Sequence, residues 1–315
     1  MQIPARLSSM RRRWGGPRMT RLRRAEFFSA YGFLAPFLII LITFTVIAGL
    51  VAFGLSFFKL DLGFTPPEFA GLHNYQIVWY ELTHNGDYLA AVTNGVKYAI
   101  MVVFAQTVVA LALALLLNQK IRGRSIFRTV FFLPSLTSSV AMSLIFLWLY
   151  NDNGAINYVL SLVGISPHNW LNDTNLALPS IAMLAIWSTA PTMMLFYLAA
   201  LQDIPESLLE AARVDGANTW QTIWHITIPL LRPVTFVVVV LGSIGAFQAF
   251  DQVYIMQGPD GGPLNSTITP VLQIYNSAFR DSLWGLACAQ ASILFIAIFT
   301  IALLERRFID ANIQY

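Results

Sequence analysis

The chain has 315 residues, 57% of them hydrophobic and 11% charged, with a mean hydropathy of +0.63 and a formal charge of +3. A soluble domain carries about 25% charged residues, so this composition excludes an ordinary soluble fold and indicates a membrane protein. One cysteine, Cys288 in an apolar run, leaves no material for a disulfide framework or a Cys-based metal site.

Arg6, Arg11, Arg12, Arg13, Arg18, Arg21, Arg23 and Arg24 form a basic tail over residues 1–29. Such an arm suits nucleic acid in a soluble protein, but directly before an apolar run it is a cytoplasmic topology determinant. The run 31–58 covers about 42 Å as a helix, enough to cross a bilayer with tilt. A signal peptide has an apolar stretch of only about 7–15 residues, so this is a retained helix. Residues 30–91 therefore read as the first transmembrane helix and an outer loop.

Five further runs have spanning length: 92–117, 130–150, 176–201, 233–256 and 283–304. The fold expected is an all-α polytopic membrane protein with six transmembrane helices, both termini on one side, and a short tail at 305–315. On the side of the N-terminus lie sixteen of the nineteen Lys and Arg; only Lys59, Lys97 and Arg280 fall opposite. By the positive-inside rule that side is cytoplasmic.

In the fourth run the segment Trp187-Ser188-Thr189-Ala190-Pro191-Thr192 stands out. Pro191 cannot bond the carbonyl of Trp187, and an unmet carbonyl at membrane depth is tolerated only against protein or a wet cavity. Two readings stand side by side: a kink relieved by Ser188 or Thr192, and a polar lining of a path.

The cytoplasmic connector at 203–232 contains two short amphipathic helices joined at Asp215-Gly216. Pro205 fits a first helical turn, and Ser207 with Glu210 has capping-box spacing. Leu208, Leu209 and Ala212 share one face, opposite Glu206, Glu210 and Arg213. Gly216 suits the positive φ that ends a helix, and Asn218 or Thr219 starts the next. Trp220, Ile223 and Trp224 give that second piece its apolar face. An interfacial helix resting on lipid is normally rich in Lys and Arg. Residues 203–225 instead hold four carboxylates against Arg213 alone, which suits a protein partner.

The fifth run carries Gly242, Gly245, Gln248 and Asp251 among Phe247, Phe250 and Tyr254. Polar groups at depth face a bundle interior or a cavity, while the glycines serve close helix contact or leave room for a ligand. Polar side chains beside flat aromatic faces, with little fixed charge, suit a neutral carbohydrate; Lys97 near an outer end reads as snorkelling. The outer loops are 59–91, 151–175 and 257–282. His73, His84, His168 and His225 are scattered, no carboxylates cluster, and no phosphate-binding or hydrolase motif occurs, so no catalytic residue and no metal site is assigned.

Glu210-Ala211-Ala212, three residues, Gly216, nine residues, Ile226, one residue, Ile228 and Pro229 resemble the EAA loop of ABC importer membrane subunits, EAA-x3-G-x9-I-x-L-P. Ile228 stands where that pattern has Leu. Residues 92–304 resemble the permease core of binding-protein-dependent importers, closest to carbohydrate-uptake permeases of the maltose and glycerol-phosphate type. The segment 247–254 and Gly261-Gly262-Pro263 resemble the end of their fifth span and the outer loop beyond it.

The resemblance implies a five-helix core plus one N-terminal helix in a bacterial or archaeal cell membrane. It makes 206–229 a coupling helix, with Glu210, Ala211, Ala212, Asp215, Gly216, Ile226 and Pro229 as ATPase-coupling positions. It implies a sugar site at Trp187, Thr189, Thr192, Gly245, Gln248, Ala249 and Asp251. The partners implied are a second, homologous permease, two copies of a cytoplasmic ATPase and an extracytoplasmic solute-binding protein. ATP and Mg are used by the ATPase, with no cofactor bound by this chain. An ion-coupled secondary transporter and a membrane scaffold remain as alternatives; the former needs paired carboxylates at depth or symmetric broken helices.

Overall fold

A computed structural model describes residues 21–61, 66–119 and 123–308. Arg6, Arg11, Arg12, Arg13, Arg18, Lys120, Arg122 and residues 309–315 of the tail lie outside the described residues. The chain divides into two compact units, Met1–Ala52 and Phe53–Tyr315. In the first, a helix begins at Arg21 and passes through a π-turn at Ile42–Ile47, with none of its spanning window buried.

Five helical stretches among the described residues are long and apolar enough to cross a membrane: Ser29–Leu55, Asp87–Asn118, Ala177–Gln202, Arg232–Gln257 and Trp284–Arg307. The expected third span, 130–150, is not one straight helix. It is a pair, Arg124–Leu136 and Ser139–Leu149, bent by 97°. Thr137 is extended, with ψ 138°, and Ser138 caps the second helix by accepting from the Ala141 N–H at 3.3 Å. Pro134 in the last turn of the first helix, followed by these small polar residues, lets the chain turn there.

The bent pair nevertheless crosses. Span two (Asp87–Asn118) and span four (Ala177–Gln202) pack parallel. Tyr98, Ala99 and Val102 meet Leu178, Ile181 and Ala182 near their starts, whereas Ala110, Ala114 and Leu117 meet Met194, Leu198 and Leu201 near their ends. Two parallel neighbours require the intervening chain to return to the first side, so residues 123–176 traverse the same thickness. Small side chains are buried along both helices, Ala91, Ala99, Ala110 and Ala114 on span two and Ala182, Ala185 and Ala190 on span four, which lets the backbones approach closely. Span five runs antiparallel to span two, with Gly242 over Gln106 and Phe247 toward Gly95.

On the side where span two starts, shorter elements cap the bundle: helices His73–Thr83, Ala155–Leu162 and Pro270–Tyr275, and a hairpin pairing Phe58–Lys59 with Glu68–Phe69. Buried Asn157 organises the loop before span four. Its amide donates to the carbonyls of Asn151, Asp152 and His168, and its oxygen accepts from Trp170 Nε1 at 2.9 Å. On the opposite side spans four and five are joined by 203–231, which forms the candidate docking site.

Candidate docking site and substrate path

The docking loop opens with the helix Glu206–Val214. Pro205 stands at its N-cap, one position before the first turn, so Ser207 is already inside the helix and the expected Ser207–Glu210 capping box does not form. The helix ends in a Schellman arrangement: Ala217 N–H bonds Ala212 O at 2.9 Å and Gly216 N–H bonds Arg213 O at 3.1 Å. Gly216 takes φ +80°, as its place in the sequence predicts. The capping box lies one turn on. Asn218 Oδ1 accepts from Gln221 N–H at 2.9 Å, and Gln221 Oε1 accepts from Asn218 N–H at 2.8 Å. The helix it starts runs through a π-turn, Ile223–Thr227, toward span five.

The loop is gripped from below by apolar side chains. Ile204, Ala212 and Leu231 are buried, and Leu209 and Leu230 pack with Leu117, Leu198, Leu201 and Phe131. Ile226 and Pro229 are half-buried at the base, while Glu210, Ala211, Asp215 and Gly216 are exposed. One expectation needs correction. Leu208 turns outward, 42% exposed, because the helix offers its inner face at Leu209 and Ala212. The indoles of Trp220 and Trp224 are 71% and 61% exposed, so the apolar face of the second piece is presented to the surroundings and only Ile223 turns partly in. The outcome is a rigidly seated knuckle displaying carboxylates beside Val214, Trp220 and Trp224.

The residues expected to line a path separate into two sets. Trp187, Thr192, Gly245, Gln248 and Asp251 are exposed. Thr189 and Ala249 turn into the packing: Thr189 donates to Gln106 Oε1 at 2.8 Å, and Ala249 is buried with its carbonyl accepting from Thr269 at 2.8 Å. Gln248 opens on a cleft of about 580 Å³ between spans five and six, lined also by Ile244, Val271, Ile274 and Phe295. None of the described cavities holds both Trp187 and Gln248. Span four stays helical through Pro191; the Ser188 hydroxyl donates to Ala185 O, and Thr189 Oγ1 lies 2.8 Å from that same carbonyl, so neither side chain turns to the carbonyl of Trp187. Span five does break, at Gln248–Phe250, with Asp251 in the first turn of the helix beyond. An acid there faces the partial positive charge of a helix start.

Three features were not read from the sequence. Gln106, 1% exposed in span two, joins Thr189 of span four to Gly242 of span five. Glu305, counted into the tail, belongs to the last helix and accepts from the Ser243 hydroxyl at 2.6 Å; its other oxygen is buried without a partner. Lys97 lines a cleft of about 540 Å³ with Asn94, Thr174, Asn175 and Ser266, so its ammonium has polar company beyond simple snorkelling. A hydrophobic run ending at Leu304 hides Glu305, because helices outlast hydropathy windows.

Residues 88–310 match the family model described as binding-protein-dependent transport system inner membrane component. The chain is 31% identical to the arabinooligosaccharides transport system permease protein AraP of Bacillus subtilis (strain 168), over 87% of this chain and 86% of that protein. It is 31% identical to the trehalose/maltose transport system permease protein MalF of Thermococcus litoralis, over 91% and 96% respectively. Its fold superposes on a chain of a bacterial ABC transporter involved in the import of the acidic polysaccharide alginate. That match has a TM-score of 0.78 and 20% identity and covers 94% of this chain and 100% of the other.

Proposed function

The chain belongs to the family of binding-protein-dependent transport system inner membrane components, and from that premise we propose that it is the membrane subunit of an ATP-driven sugar importer. It forms half of the translocation path beside a second permease. Loaded binding protein delivers sugar on the side of the 257–282 loop, and an ATPase pair works on the opposite, cytoplasmic side, where both termini lie. The observation that carries this reading is the exposed knuckle at 206–229, acidic and aromatic, seated by Ala212 and Leu231 between spans four and five. A surface so placed passes a push from a soluble partner directly into both helices.

In the cycle, ATP and Mg bound by the ATPases close that pair and draw the two permease knuckles together. The bundles then rock open to the outside, receive sugar, and return when ATP is hydrolysed. Trp187, Thr192, Gly245, Gln248 and Asp251 offer stacking faces and hydrogen-bonding groups to the sugar, and Thr189 and Ala249 support them from within. The chain itself performs no hydrolysis.

Glu305 against Ser243 favours a second reading, an ion-coupled transporter using that carboxylate. One experiment separates the two. Uptake of the ligand of the co-encoded binding protein, identified by a thermal-shift screen, is followed in cells. The importer reading expects uptake to stop when the ATPase partner is deleted and to survive an ionophore with ATP intact; the opposite pattern supports ion coupling.

A further inference from the structure

Hydroxyls inside a span are normally satisfied by their own helix. Thr235, Ser292 and Thr300 each donate to the carbonyl four residues earlier, at 2.7–2.9 Å. Thr107 of span two does not: its Oγ1 is out of reach of solvent and meets no partner among the described residues. Glu305 of span six (Trp284–Arg307) lines the same cleft, of about 500 Å³. Its Oε1 accepts from the Ser243 hydroxyl of span five at 2.6 Å, while its Oε2 is closed off from solvent and unmet.

A hydroxyl without an acceptor and a carboxylate oxygen without a donor are costly among apolar side chains. Water reaches neither, so the partner has to come from the protein itself. The bundle is divided along this cleft. Span two is tied to span four by Gln106 and Thr189, at the position just before Thr107. Span five is tied to span six by Ser243 and Glu305, and span five is the second root of the docking loop.

We propose, on the importer reading above, that Glu305 is a latch of the transport cycle, held by Ser243 alone in the state described and by Ser243 and Thr107 together once the cleft narrows. A push of the ATPase pair on the docking loop moves span five, and span six with it, toward span two. The Thr107 hydroxyl then donates to the free oxygen of Glu305, a charge-assisted bond that holds the bundle in its ATP-bound form.

The test uses the full chain purified with its co-purifying subunits in lipid nanodiscs, with Cys288→Ser and spin labels on Phe104→Cys and Ile301→Cys, two positions lining the cleft. Distances are read by pulsed electron resonance without nucleotide and in the vanadate-trapped state. The labels should approach on trapping, and T107V should cut the short-distance population about tenfold, as expected for losing one hydrogen bond to a charged group. T107S, which keeps the hydroxyl, should restore it. With E305M in the same chain, T107V should change the population no further. An unchanged population in T107V overturns the proposal, and so does a T107V effect of equal size with E305M present. Lower thermal stability with distances unmoved assigns the pair to packing and likewise overturns it. Labels that keep one distance in both states, while uptake still requires the ATPase, sink the latch and leave the importer standing; uptake that survives deletion of the ATPase sinks both. Should E305M fail to accumulate, T107V against T107S decides, since valine keeps the branched shape of threonine.

Discussion

The Thr189 hydroxyl donates to Gln106 Oε1 at 2.8 Å across spans four and two, and Gln106 Nε2 lies directly over Gly242 of span five. Three helices therefore meet at one buried amide about 11 residues, or roughly 16 Å, from where spans two and five end and begin on the docking-loop side. Spans four and five carry the docking loop between them, so this polar knot ties the loop's two roots to each other through span two.

Gly242 has its place because no side chain fits beneath that amide. A Cβ added there would come within 2.0 Å of Gln106 Nε2, and Gln106 is held by Thr189 in a packed site. Gly242→Ala should cost about 1–3 kcal/mol, the range for overpacking a core. Gln106→Ala in the same chain should restore part of the loss, a coupling that thermal unfolding of both single variants and the double variant in detergent measures.

The docking loop was the most legible part of the chain, because Gly216 and Asn218 act through local backbone chemistry that neighbours do not alter. The span ends were also close, since apolar runs of this length have few other uses. What escaped depended on distant partners. Thr189 faces inward because Gln106, 83 residues earlier, accepts its hydrogen bond. The bend at Thr137–Ser138 lies inside an apolar run whose average hydropathy conceals two polar residues. Ser207 lost its capping role because Pro205, two residues before it, already occupies the N-cap position.

Trp220 and Trp224 contribute little to the fold, being 71% and 61% exposed, and under the proposed function their free indoles are the anchors offered to the ATPase. Replacing either with Ala should change stability by about 0.5 kcal/mol or less. Co-purification of the ATPase should weaken by about tenfold or more, since aromatic anchors dominate such interfaces. An unchanged ATPase yield with both indoles removed would show that the partner grips elsewhere.

Gly216→Val meets no atom within 4 Å of its new Cβ, so its cost is the positive φ alone, about 1–2 kcal/mol and local to the turn. The variant should insert and assemble, yet hydrolyse ATP without matching uptake. Gly216→Asn, which tolerates this backbone region better, should retain more transport. Parent-level transport by a stably expressed Val variant rules out a coupling role for the turn.

Glu81, on the helix His73–Thr83 outside the spans, has its pKa raised above the ordinary carboxylate value. Desolvation is the larger cause and repulsion from Asp87 the next, with a Tyr88 backbone N–H opposing them. One of its oxygens is buried without a partner. A carboxyl whose folded pKa is raised binds its proton more tightly in the folded state. Its contribution is complete below the unfolded value and is lost as pH rises through the folded one. Glu81→Gln should therefore unfold at the same temperature as the parent near pH 4 and at a higher temperature near pH 8, with the gap opening across the interval above the ordinary value of about 4.3. Thermal unfolding at a series of pH values reads this directly. A gap that is constant with pH would mean the gain came from packing around residue 81 and not from its charge.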